Sequence, residues 1–181
     1  METIKQKENE ALSNFDIYNI IGKKIKIIKY PDIENYNSIF EIFGNSNMVI
    51  IFFETENLNI GHWECMFLKQ KEIYFFDSYG LPPDQAEKYI NSNTQIKLKE
   101  NKPLLYPLFV NAQKSGYSSF YNAFKYQQMK GNISTCGRWC SIRLKYMNLT
   151  DEQFYNKINN LRIKWGFDNF DYVVTKLTLK Y

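Results

Sequence analysis

With 181 residues, 44% hydrophobic and 17% aromatic content, the chain has apolar mass for one well-buried core and is short for two, so a single domain over residues 1–181 is expected. A charged fraction of 23% and a net charge of +4 suit an anionic partner without demanding one; a dedicated nucleic-acid binder carries a denser basic stripe, so at most a weak nucleic-acid contact is expected. The opening METIKQKENE lacks the apolar stretch of a secretory signal, no apolar run approaches a membrane span, and three irregularly spaced cysteines argue against a disulfide framework and for a reducing compartment.

In chain order, ALSNFDIYNIIG predicts a short helix with Ser13 as N-cap, Asp16 three residues on and Gly22 as its stop. IENYNSIFEIFG predicts a second, ending at Gly44. Residues 48–54, 62–68 and 72–77 are short, apolar and rich in β-branched or aromatic side chains, which predicts buried strands, with KQK as the hairpin between the last two. SYGLPP reads as a turn, DQAEKYINSN as a helix and NTQIKLKENKP as a loop. SSFYNAFKYQQ, residues 118–128, alternates well enough to predict a strand. After Cys136, helical spacing joins Trp139, Ile142, Leu144 and Met147, with basic residues expected on a solvated face. A Thr150/Gln153 capping box opens the next helix, and DNFDYVVTKLT closes the chain as the last. The expected class is α+β, a central mixed sheet flanked by helices.

A cysteine nucleophile needs a base and a group that orients the base. The chain holds one histidine, so a cysteine–histidine mechanism uses His62 or none. By itself His62 reads first as a surface or satisfied core residue. If the strands at 62–68 and 72–77 pair, Asp77 comes within reach of the imidazole; taken alone, it reads first as a turn aspartate bonding its own backbone. Cys136 follows Ser134 and Thr135, suitable caps, and a thiolate in a first helical turn is favoured by the positive helix end. Gly137 leaves room for substrate backbone and offers its N–H to an oxyanion. Cys136 and Cys140 sit one turn apart, but zinc would need Cys65 and His62 to complete four ligands, and no metal is expected. Cys65 and Cys140 read as small buried hydrophobes.

The order of these motifs is more specific than any one of them: GHW, then FFDSYG, then YQQ, then STCGRWC, giving His, Asp, Gln and Cys-Gly. It resembles the adenovirus-protease and Ulp1-like cysteine proteases over roughly residues 48–148, and within them the maturation proteases of large DNA viruses, virophages and polinton-type elements. The resemblance implies a Ulp1/adenain-like fold with the nucleophile at a helix N-terminus. It implies a His62–Asp77–Cys136 triad cleaving a peptide bond through a thioester, with the oxyanion held by a glutamine and the Gly137 N–H. Trp63 would wall the cleft and shield the imidazole. Gln127 and Gln128 both stand before Cys136; strand alternation favours Gln127, since Gln128 falls on the more apolar face. A narrow passage between Trp63 and Gly137 implies cleavage after small residues, Gly-X.

The function expected from the resemblance is processing of viral capsid precursors in the virion or a viral factory of the host cytoplasm, by a monomer that needs no cofactor, touches no membrane and is not secreted. Removal of ubiquitin- or SUMO-like modifiers is the alternative; an acyltransferase using the same triad and a catalytically dead binding module stand further off. Only about 45 residues precede the first strand, little for gripping a globular modifier, which favours precursor processing.

Overall fold

The structure, a computed structural model, describes residues 2–55, 61–85, 92–130 and 132–181. In chain order the helices are α1 Glu2–Lys7, α2 Asn14–Ile21, α3 Ile39–Phe43, α4 Ser92–Leu98, α5 Leu105–Lys114, α6 Cys136–Lys145, α7 Asp151–Trp165 and α8 Phe170–Thr178. The strands are β1 Lys26–Lys29, β2 Met48–Glu54, β3 Gly61–Lys69, β4 Glu72–Asp77 and β5 Ser118–Tyr121, and a 3-10 helix covers Tyr30–Asn35. The class is α+β. Contacts divide the chain into two compact units: a sheet unit, Ile25–Asp77 with Leu81–Ala123, and a helical unit, Met1–Lys24 with Ser78–Gly80 and Phe124–Tyr181. No helix among the described residues is long and apolar enough to cross a membrane.

In the sheet unit the strands lie in the order β1-β2-β3-β4-β5, antiparallel at β2–β3 and β3–β4 and parallel at both outer pairs. A two-residue turn at Gln70 and Lys71 joins β3 to β4, with Gln70 at φ 55. Because side chains alternate, Val49, Ile51 and Phe53 of β2 share one face with Met66 of β3 and Phe75 of β4, and this face forms a core with Ile39 and Ile42 of α3 and Leu105 and Phe109 of α5. The opposite face is buried as well, through Ile50, Phe52, Cys65, Phe67 and Phe76. Asp84 starts α5 from a distance: Oδ1 accepts from the Leu105 N–H at 3.0 Å and the Tyr30 hydroxyl at 2.6 Å, and Oδ2 from the Tyr106 N–H at 2.6 Å. Pro107 falls in the first turn of that helix, where a missing N–H costs nothing.

In the helical unit both predicted capping boxes are present. Ser13 Oγ accepts from the Asp16 N–H while Asp16 takes the Ser13 N–H, and Thr150 and Gln153 do the same for α7. Each cap is worth about 1 kcal/mol, and left-handed Gly22 and Gly166 end the two helices. The unit's buried apolar side chains include Trp139 and Cys140 of α6, Phe154 and Ile158 of α7, and Val173 and Val174 of α8. Tyr126 packs its ring 4.9 Å from Trp139 and 5.4 Å from Phe154.

Several expectations need correction. The segment read as one helix ending at Gly44 is the 3-10 helix followed by α3, divided by the Ser38 cap whose Oγ accepts from the Glu41 N–H. Residues 93–103, read as loop, contain most of α4. The helix expected over 84–93 falls largely outside the described residues. The strand expected over 118–128 stops at Tyr121, because the next residue pairs through its side chain: Asn122 Oδ1 accepts the Asp77 N–H at 2.9 Å and Nδ2 donates to the Asp77 carbonyl at 2.7 Å. Of the basic residues of α6 only Lys145 is exposed: Arg138 is 4% exposed and Arg143 fully buried, their charges met by Thr178 and the Lys7 carbonyl, and by Asp151 with the Tyr146 and Leu149 carbonyls.

Candidate active site

In the sheet unit the β3–β4 register sets Glu64 opposite Asp77, so His62 lies one same-face step beyond. His62 Nε2 and Asp77 Oδ1 are 2.6 Å apart, with the imidazole 7% exposed and the carboxylate fully buried. Asp77 Oδ2 accepts from the Leu81 N–H at 3.2 Å, so the turn role read from the sequence and the contact with histidine coexist in one carboxylate. With its backbone clasped by Asn122, Asp77 is fixed at every polar group it has. An ionised carboxylate accepts, so in the neutral ring the proton belongs on Nε2 and the lone pair on Nδ1. Gly61 permits the close pairing at this end of β3: a Cβ there would lie 2.0 Å from the Phe53 carbonyl oxygen.

Trp63 packs across the strands on Phe52, ring centroids 4.4 Å apart and planes tilted by 43°, and as the next residue on β3 it points to the face opposite His62. Cys65 shares that opposite face, so it does not converge with His62 on a zinc site. Glu64 does share the imidazole's face. It is 1% exposed, neither carboxylate oxygen has a hydrogen-bond partner, and burial first, then the Asp77 charge, push its pKa well above the ordinary range.

In the helical unit Cys136 is the first residue of α6 and 7% exposed. The first N–H groups of a helix, those of Cys136 and Gly137 here, have no acceptor within it and suit an oxyanion. Thr135 precedes them without the cap bond that its position suggests; its hydroxyl donates instead to Asp171 Oδ1 at 2.5 Å. Asp171, fully buried near the start of α8, also accepts from Trp139 Nε1 at 3.3 Å and from the Gln128 N–H at 2.9 Å. One carboxylate thus ties both flanks of Cys136 to the segment that carries the two glutamines. Burial raises its pKa against these hydrogen bonds.

Gln127 is 1% exposed; Oε1 accepts from Ser78 Oγ at 2.7 Å, and Nε2 donates to the Ile133 carbonyl and the Tyr79 hydroxyl, each at 3.2 Å. Only an N–H can face a carbonyl, so the amide orientation is fixed. Gln128 contributes its backbone N–H rather than its side chain. The preference for Gln127 rested on strand alternation, and residues 122–128 are not strand; what sets the two apart is the Ser78–Tyr79 turn. Cys140, one turn along α6, is fully buried. Sequence reasoning missed Asp171, Asn122 and Glu64. Glu64 alone left a signal, an acid within an otherwise apolar strand.

No family model matches the chain. Among solved structures, the ASFV pS273R protease superposes with a TM-score of 0.48 at 10% identity, covering 95% of this chain and 68% of that one. The SUMO protease Ulp1 gives 0.40 at 14%, covering 96% and 78%, and ChlaDub1 from Chlamydia trachomatis gives 0.38 at 16%, covering 93% and 76%. Likeness of this degree leaves activity to be argued from the residues themselves. In sequence, the chain is 35% identical over 162 residues to the uncharacterized protein V9 of Sputnik virophage, covering 89% of this chain and 90% of V9. That extent of identity shows common descent over nearly the whole of both chains, and this protein belongs to the family of the virophage protein V9.

Proposed function

We propose that the protein is a thiol protease in which Cys136 attacks the scissile carbonyl, His62 takes the thiol proton through Nδ1, and Asp77 holds the imidazole and stabilises the imidazolium. The proton returns to the leaving amine, and water then hydrolyses the thioester. The observation that carries this reading is the buried 2.6 Å contact between the chain's one histidine and a carboxylate fixed on all sides. The oxyanion would be met by the first N–H groups of α6, at Cys136 or Gly137, and by Gln127, whose Nε2–H must turn from Tyr79 to reach it.

The substrate in this reading is a viral capsid precursor, cut after small residues in the virion or viral factory; the viral origin of V9 supports it. The decisive experiment compares kcat/KM on peptides copied from the capsid proteins encoded beside the gene with kcat/KM on intact ubiquitin- and SUMO-like conjugates. Cleavage of the peptides is expected, lost in Cys136→Ala. Strong preference for the conjugates overturns the capsid assignment, and turnover that survives Cys136→Ala overturns the mechanism.

A further inference from the structure

We propose that His62, Glu64 and Asp77 together bind a divalent cation of the zinc class, which holds the enzyme inactive; the inhibitory part rests on the catalytic role proposed for His62. All three lie in the sheet unit, and their ligand atoms come within 4.8 Å of one another. Glu64 is the reason to look for a cation. Its carboxylate is 1% exposed with neither oxygen hydrogen-bonded, it projects onto the face that carries His62, and the backbone register sets it opposite Asp77. A buried carboxylate without partners needs an explanation, and the catalytic reading gives it none.

One imidazole nitrogen and two carboxylate oxygens are a donor set that zinc accepts, with a fourth position left open. Ligands about 2.0–2.2 Å from a tetrahedral zinc stand roughly 3.3–3.5 Å apart, so small side-chain adjustments bring the three into place. His62 would bind through Nε2, the nitrogen beside Asp77, so the ring's one proton would pass by exchange with solvent from Nε2 to Nδ1. The bound neutral ring then carries its proton on Nδ1, the nitrogen that has to accept the thiol proton. The cation therefore removes both the orienting carboxylate and the base in one event, and chelation restores them.

Calorimetric titration of Zn²⁺ into the full-length Cys136→Ala protein, where no thiol at 136 can contribute, should show one site. Adding Glu64→Gln, which keeps the side chain's shape, should weaken that site by roughly 10–100-fold or more, and Glu64→Ala at least as much. In the wild-type protein Zn²⁺ should suppress peptide cleavage and a chelator restore it. Equal zinc affinity with and without Glu64, or no binding by Cys136→Ala, overturns the proposal. Cleavage by the wild-type protein in chelator tests the protease reading separately: zinc binding that depends on Glu64 without any cleavage supports the site and removes its inhibitory role.

Discussion

The two units hold their candidate residues by different means. In the sheet unit, backbone register does the placing: His62, Glu64 and Asp77 occupy same-face positions of adjacent strands, and side chains add only the final contact. In the helical unit, side chains do it. Thr135, Trp139 and the Gln128 backbone converge on Asp171, while Gln127 is held by Ser78, Tyr79 and the Ile133 carbonyl. Register tolerates the loss of a side chain because the ladder persists; a hub does not, because three donors, the Thr135 hydroxyl, the Trp139 indole N–H and the Gln128 N–H, share one acceptor carboxylate. Substitutions in the sheet unit should therefore cost chemistry with little stability, and substitutions in the helical unit should cost both.

The sharpest test of the first half is Asp77→Asn. The ladder and the Asn122 clasp on the Asp77 backbone remain, but the amide no longer enforces the Nε2–H tautomer, and kcat should fall by about 10⁴. The melting temperature should move little. His62→Ala and Cys136→Ala should lose at least as much activity. A large stability loss in Asp77→Asn with modest loss of turnover breaks the comparison.

How much of this could be read from the chain follows the same division. His62 and Asp77 were legible because period-2 alternation and a short hairpin place them by counting. The α2 and α7 caps were legible because each is closed within four residues. The start of α5 was not, since its capping aspartate stands 21 residues upstream of Leu105. Nor was the end of β5, where Asn122 spends its side chain on Asp77 in place of a further ladder pair. The arginines of α6 read as solvated because charge predicts exposure, and only the folded chain brings the Lys7 carbonyl, 131 residues away, to Arg138. The acceptors of Arg143 are near in sequence, the Tyr146 and Leu149 carbonyls, but they are offered by the end of α6 and the turn after it. Contacts that follow a spacing rule, such as the caps, were visible; contacts without one, near or far, were not.

Gln127 refines the second half. Gln127→Ala should lower kcat by about 10²–10³, whereas Gln128→Ala should change it little, because the Gln128 contact to Asp171 is made by backbone. Tyr79→Phe removes one acceptor from Gln127 Nε2 and leaves the amide to turn more readily, so kcat should hold or rise. The opposite ranking of the two glutamines moves the oxyanion role to Gln128.

Asp171→Ala leaves the Thr135 hydroxyl, the Trp139 indole N–H and the Gln128 N–H without their acceptor, and should cost roughly 2–4 kcal/mol of stability. Below the new melting temperature kcat should drop with KM little changed, as expected when the turn carrying Cys136 loses its position. Asp171→Asn keeps one acceptor oxygen and should recover part of both losses. Unchanged denaturation midpoints in Asp171→Ala remove the hub.

Glu100 gives the smallest effect, and it separates register from titration within the sheet unit. Its side chain is fully buried, Oε1 accepts the Glu54 N–H at 2.8 Å, and Oε2 has no partner. Burial drives its pKa from 4.5 to about 7, opposed by the Glu54 N–H and reinforced by the Glu54 charge. The native state thus holds this proton more tightly than the unfolded chain does. The stability linked to it is fully present below about pH 4.5 and is lost as pH rises through about 7. Urea midpoints should therefore fall from pH 5 to pH 7.5. Glu100→Gln keeps an acceptor for the Glu54 N–H and has no proton to lose, so the slope should flatten while β2 and β3 stay in register. It should not vanish, because burial also raises the pKa of Glu64 in the sheet unit and of Glu8 and Asp171 in the helical unit, and all three act with the same sign. A Glu100→Gln protein with an unchanged slope would assign the whole pH dependence to those other acids.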